Sequence, residues 1–310
     1  MKTATPALQA QSHKPRGMDD KVFDTIALIV CLLILLVVVY PLWYVIICSF
    51  SDPNAVTGGQ VIWLPVGWTL EGYNTILDYS PIWIGYRNTL IYALVGTAFN
   101  LGLTLPCAYA LARPDFKGRN LFMMLFTFTM FFSGGLVPSY IMWTQTFHIK
   151  NTVFALLVPN LLMGAFYVIM MRTYFSSNIP DAVIEAARID GAGEMRILLT
   201  IVLPMSLPII ATLALLTGLG YWNDWLNGLY YVQNDKLYSI QVLLNRMLMD
   251  VQFLMSSTNT AAVGHQQMGP LPSTGIKMAV AVLGALPALI IYPFFQKYFV
   301  KGITIGAVKG

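Results

Sequence analysis

Residues 185–204 read EAARIDGAGEMRILLTIVLP, and they decide how the rest of the chain is read. Two glutamates, two arginines and an Asp-Gly pair stand together, followed at once by an apolar run. Upstream, Pro180 suits a first helical turn and Ser177 or Asn178 a cap. Asp181 and Glu185 stand near the positive end of such a helix, and Arg188 near its negative end. Gly191 then stops it, as glycine does just past a helix C-terminus. The passage therefore predicts a short helix, a break over 191–193, and a second helix entering an apolar segment. Ala186 and Ala187 leave one side of the first helix almost bare of side chain. A helix this short is marginal alone in water and needs a partner. A solvated loop that only returns the chain to an apolar segment fits these local signals equally well.

The surroundings are a membrane protein's. Hydrophobic residues make up 57% of the 310, and charged residues only 10%. Soluble domains carry about 25% charged residues. The apolar runs are unbroken, unlike the ten-residue alternation of a membrane β-barrel. The expected fold is an all-α polytopic membrane protein with six transmembrane helices, near 25–48, 87–112, 121–143, 152–171, 202–220 and 279–300. Pro287 and Pro293 predict a kink in the last. With the N-terminus inside, thirteen of the eighteen Lys and Arg lie in inner segments and five in outer ones. Both termini are then cytoplasmic, and the 185–204 passage faces the cytoplasm. Residues 1–24 read as an N-terminal tail, 25–300 as the membrane domain, with its elbow near 178–200 and an outer loop near 221–278, and 301–310 as a C-terminal tail.

Several function classes are excluded or weakened. The formal net charge of +4 gives no reason to expect nucleic acid. Cys31, Cys48 and Cys107 are scattered in or beside apolar runs, and His13, His148 and His265 stand apart, so no metal site and no disulfide framework is read. No phosphate loop and no catalytic constellation is found. Paired carboxylates inside the spans, which a proton-driven carrier would use, are not seen.

The spacing Glu185-Ala186-Ala187, Gly191, Ile201, Leu203-Pro204, with Asp190 before the glycine, resembles the signature of permease subunits of ABC importers. The tail PFFQKYFVKGITIGAVKG (293–310) is similar to the carbohydrate-uptake branch, that of the maltose system's second permease subunit. FFSGGLVPSY (131–140) and YWNDW (221–225) resemble oligosaccharide-uptake relatives. The resemblance implies a type I importer permease whose elbow is a coupling helix seated on a cytoplasmic ATPase. It implies Glu185 as a charged anchor, Ala186 and Gly191 as seating, and Leu203 and Pro204 as a stiff joint to the fifth span. The implied partners are a second permease, usually a different one, two ATPase subunits that hold ATP and magnesium, and an external solute-binding protein. This chain would carry no cofactor and no catalytic residue. A permease for a non-sugar solute, or a stand-alone secondary carrier, are the alternatives.

Two outer features remain open. Tyr221, Trp222, Asn223, Asp224, Trp225 and Asn227 read either as an aromatic belt at the membrane surface or as part of a sugar path, with rings for C–H faces and amides for hydroxyls. Ile240, Leu243, Leu244, Met247, Leu248 and Val251 recur at helical spacing, so 240–255 reads as an amphipathic helix on the outer surface. The resemblance assigns that outer loop to the binding protein.

Overall fold

The computed structural model describes residues 18–256 and 274–307. No strand occurs among them. The helices in chain order are α1 (Met18–Ser49), α2 (Pro53–Thr57), α3 (Glu71–Asp78), α4 (Ser80–Ala112), α5 (Arg119–Phe131), α6 (Leu136–Ile141), α7 (Phe154–Leu157), α8 (Ala165–Asn178), α9 (Asp181–Ile189), α10 (Glu194–Ile197), α11 (Leu203–Met205), α12 (Leu207–Trp222), α13 (Leu226–Tyr231), α14 (Ile240–Ser256) and α15 (Thr274–Ala307). A π-helical turn, Met142–Thr146, continues α6, and another, Leu198–Val202, joins α10 to α11.

Among the described residues, three helices are long and apolar enough to cross a membrane unbroken: residues 21–49 of α1, all of α4, and 274–294 of α15. Two bent pairs of helices are long and apolar enough only when each pair is taken together. Arg119–Phe131 and Leu136–Thr146 meet at 115°, and Glu194–Met205 and Leu207–Trp222 meet at 87°. The first bend falls on Phe132-Ser133-Gly134-Gly135, where Gly135 has φ +82°. The second falls on Ser206, between Pro204 and Pro208. Proline offers no N–H to the preceding turn, and its ring pushes away the carbonyl four residues back. Leu203 and Pro204 thus stand just before a sharp corner.

The expected fourth span, 152–171, is not one helix. Residues 158–164 are irregular, Asn160 takes φ +62°, and α8 starts only at Ala165. Pro159 and Gly164 are the local cause. What makes the break tolerable is that two of its carbonyls, and that of Leu157 just before it, are capped by side chains of other helices. Tyr221 Oη donates to Leu157 O at 2.8 Å, Asn227 Nδ2 to Pro159 O at 2.9 Å, and Asn100 Nδ2 to Leu161 O at 2.8 Å. Irregular backbone in a membrane protein survives only when its polar groups are satisfied in this way.

At the chain ends, α1 begins at Met18, ahead of the expected tail boundary, and α15 runs through Pro287 and Pro293 as one helix to Ala307. Most of the proposed N-terminal tail, and residues 257–273 of the outer loop, lie outside the described residues. Helix α14 forms as expected, with Ile240 and Val242 buried.

The bundle is organised about α4, which packs on α8 and α12, while α15 packs on α1 and α12. Close contact between α4 and α12 depends on Gly96: a Cβ there would meet the Tyr221 ring at 2.4 Å. The largest core cluster, with Leu105, Met171, Phe175, Ile197 and Leu213, extends to Ile184 and Ala187 of α9.

Candidate functional site: an elbow clamped to the bundle

Helix α9 has two faces of different fate. Ile184 and Ala187 are 3% and 8% exposed and belong to the core. Ala182, Glu185 and Ala186 face outward, and Ile189 at the end of the same face is 85% exposed. Positions 182, 185–186 and 189 recur at helical spacing and form one continuous stripe. The bare side expected from Ala186 and Ala187 together is therefore split: Ala186 lies on the open stripe, and Ala187 packs inward. The helix begins at Asp181 with Pro180 at its N-cap and no side-chain cap; Asn178 instead donates to Tyr174 O within α8.

The break after α9 follows the sequence. Asp190 is the C-cap, and Gly191 takes φ +81°, a conformation that disfavours any residue with a Cβ. Ala192 N donates to Ala187 O at 2.9 Å and closes the turn. Ile201 and Leu203 pack against the core cluster, and Pro204 is exposed.

Sequence reading missed the ionic clamp that holds this elbow. Arg188 Nη2 lies 2.8 Å from Asp115 Oδ2 and 2.7 Å from Glu194 Oε1. Arg113 Nη1 lies 3.4 Å from Asp181 Oδ1, and Arg113 Nε lies 3.7 Å from Asp115 Oδ1. Tyr109 Oη donates to Glu194 Oε2 at 2.6 Å. Both ends of α9 are thus tied to the turn that follows α4, and α10 is tied to α4 itself. A signal existed: residues 113–119, RPDFKGR, are a charged island in a chain poor in charge. A hydrogen bond from its own backbone, then the Arg188 guanidinium, hold the Asp115 carboxyl below its usual range. A depressed folded-state value means that its contribution is complete above the ordinary carboxylate range and fades only as pH falls below it. At neutral pH the Asp115 carboxylate is charged.

The residues of the second candidate site divide sharply. Tyr221, Trp222 and Asn227 are buried and support the scaffold: beyond the two carbonyl caps, Trp222 Nε1 donates to Gly284 O at 3.0 Å. Asp224 Oδ1 accepts from Asn227 N at 3.2 Å, and its carbonyl accepts from Ser239 Oγ. Trp225 packs on a core cluster of Tyr92, Leu156 and Tyr231. Only Asn223 is left facing open space. It lines a cavity of about 480 Å³ between α12, α14 and α15, with Gln241, Tyr292, Leu219 and Leu244. Because Tyr221 caps a buried carbonyl, Tyr221→Phe should cost about 1–3 kcal/mol. Thermal unfolding in detergent should show a lower midpoint than the parent.

Residues 80–305 match the family described as "Binding-protein-dependent transport system inner membrane component", and the chain belongs to that family. It is 33% identical over 293 residues to the polygalacturonan/rhamnogalacturonan transport system permease protein YtcP of Bacillus subtilis, covering 94% of this chain and 100% of that one. It is 27% identical to the trehalose/maltose transport system permease protein MalG of Thermococcus litoralis, covering 94% and 100%. Among solved structures, it is similar to a chain of a bacterial ABC transporter involved in import of the acidic polysaccharide alginate. That match has TM-score 0.80 and 29% identity, and it covers 92% of this chain and 99% of that one.

Proposed function

We propose that this chain is one membrane subunit of an ATP-driven, binding-protein-dependent importer of oligosaccharides. The open stripe of α9 is the observation that carries the mechanism. Burying an isoleucine side chain such as Ile189 is worth about 1.5–3 kcal/mol, which a partner groove would recover. Ala182 and Ala186 allow that partner's backbone to approach, and Glu185, with no ion pair among the described residues, is available to a cationic partner group. The partner is a cytoplasmic ATPase subunit, and ATP and magnesium are bound there rather than here. A second, different permease completes the membrane path, and α14 with the loop after it receives the external binding protein. The names of the relatives support a carbohydrate cargo.

Helix α9 is joined to the spans covalently on both sides, to α8 through residues 179–180 and to α12 through α10 and α11. The clamp adds an ionic link, through Arg113, Asp115 and Arg188, to α4. A push on α9 therefore moves α4 and α12 together, as a rigid-body mechanism needs. In this reading residues 154–178 make the sixth crossing and both termini are cytoplasmic. Alkaline phosphatase fused near residue 150 should then be active, and fused near 191 inactive.

The cavity at Asn223 supplies amides and a phenol beside apolar walls, which suits sugar hydroxyls and C–H faces. Asn223→Ala should raise the apparent KM for uptake about tenfold, as loss of one or two hydrogen bonds does, and leave sugar affinity of the binding protein unchanged. The whole reading is tested in proteoliposomes with the purified complex. Uptake of labelled oligosaccharide should require internal ATP and the external binding protein; uptake driven by a proton gradient without ATP would reject it.

A further inference from the structure

Residues 53–70, PNAVTGGQVIWLPVGWTL, contain no charged side chain. From Gly58 to Leu70 they form no helix, yet they are far from polar. Ile62, Trp63, Leu64 and Trp68 are 54%, 64%, 70% and 67% exposed. In water such a cluster would be a liability, and the loop is not loosely held. Asp52 N donates to Val66 O at 3.0 Å, Thr69 N to Phe50 O at 3.0 Å, and Val66 N to Ser51 Oγ at 3.2 Å. Gly67 takes φ +65° where the chain turns back over Asp52.

The loop's depth can be read against α1. Trp43 Nε1 donates to Trp63 O at 3.0 Å, Tyr40 Oη donates to Ile62 O at 3.4 Å, and the Tyr40 and Trp63 rings are 4.9 Å apart. The tip therefore lies level with residues 40–43. The uncharged apolar run of α1 continues to Ile47. At 1.5 Å per residue, the tip sits roughly 6–10 Å inside the end of that run. This is the depth at which amphipathic segments rest in the boundary between headgroups and acyl chains. The two carbonyls at that depth are the ones the α1 aromatic side chains cap, as backbone removed from water requires. Exposed tryptophans are the side chains enriched at that level.

We propose that residues 62–64, with Trp68 stacked on Phe50 at their outer margin, are a membrane-inserted foot, resting in the interfacial layer of the lipid bilayer and continuous with the lipid-facing wall of α1. The foot fixes the depth and tilt of α1 from its loop end. It does not depend on the cargo or on the coupling role of α9.

The test is differential tryptophan quenching of the full-length chain in nanodiscs, alone and in its affinity-purified native assembly. The parent is compared with the W63F/W68F variant, which keeps aromatic rings at both places and so preserves the fold. With dibrominated phosphatidylcholine, the variant should lose roughly a third of the lipid-quenchable emission of the seven tryptophans. Iodide in the aqueous phase should quench parent and variant alike. A Trp63/Trp68 component quenched by iodide and not by bromolipid would place the loop in water and overturn the proposal. A component reached by neither quencher in the assembly would show a protein covering the loop, and would overturn it as well.

Discussion

Ala186→Trp is expected to abolish uptake and leave the subunit folded and inserted in the membrane. Ala186 lies on the open stripe of α9, between Glu185 and Ile189, so within this chain a larger side chain enters open space. Solvent-facing substitutions of this kind usually change stability by no more than about 0.5 kcal/mol. If an ATPase groove holds the stripe, the same indole must be accommodated at a close-packed contact, where overpacking costs about 1–3 kcal/mol. That is about 5- to 150-fold in affinity for the ATPase, enough to empty the groove at modest subunit concentration. The neighbouring substitution Ala187→Trp behaves oppositely. Ala187 is 8% exposed within the core cluster, so bulk there should lower stability before assembly is reached. Uptake assays with a membrane-insertion and thermal-unfolding control read both effects. Normal uptake by Ala186→Trp would remove the docking stripe from the account.

Arg188→Ala is the second variant with a large expected effect, through position rather than stability. The guanidinium is one-third exposed and holds Asp115 and Glu194 at once. Each exposed pair contributes only about 0.2–1 kcal/mol, so the fold should survive. One of the two ionic ties between α9 and the end of α4 is lost, leaving Arg113–Asp181, so motion of α9 reaches α4 less directly. Uptake should fall at least about tenfold, because small misplacements at a working site carry such penalties, while ATP hydrolysis by the complex falls less. The ratio of sugar moved to ATP consumed is the readout, since a merely unstable protein would lower both together. Arg188→Lys keeps the charge but not the two-pronged geometry, and should recover part of that ratio. An unchanged ratio in Arg188→Ala would mean that the Arg188 arm of the clamp transmits nothing.

The elbow was legible because its signals are local. Pro180, Asp181 and Gly191 act within a few residues, and helix, break and second helix follow them in order. The long spans were legible from apolar length alone, as with α1 and α4. What could not be read is long-range. Asn100, Tyr221 and Asn227 cap carbonyls about 60 or more residues away, and only that capping lets the chain abandon a helix at Pro159. A window of residues 152–171 looks like a span because hydropathy ignores which carbonyls find donors. The same blindness hid the clamp, whose members Arg113 and Asp181 are 68 positions apart. It also merged structural and open residues in YWNDWLN, where only Asn223 lines the cavity.

The central claim is that the outward stripe of α9 is covered by an ATPase subunit in the working transporter. Maleimide labelling of Ile189→Cys, quantified on its peptide by mass spectrometry, tests this most directly. The account predicts rapid labelling in the separated subunit and strong protection in the purified complex. Equal labelling rates in both would contradict it.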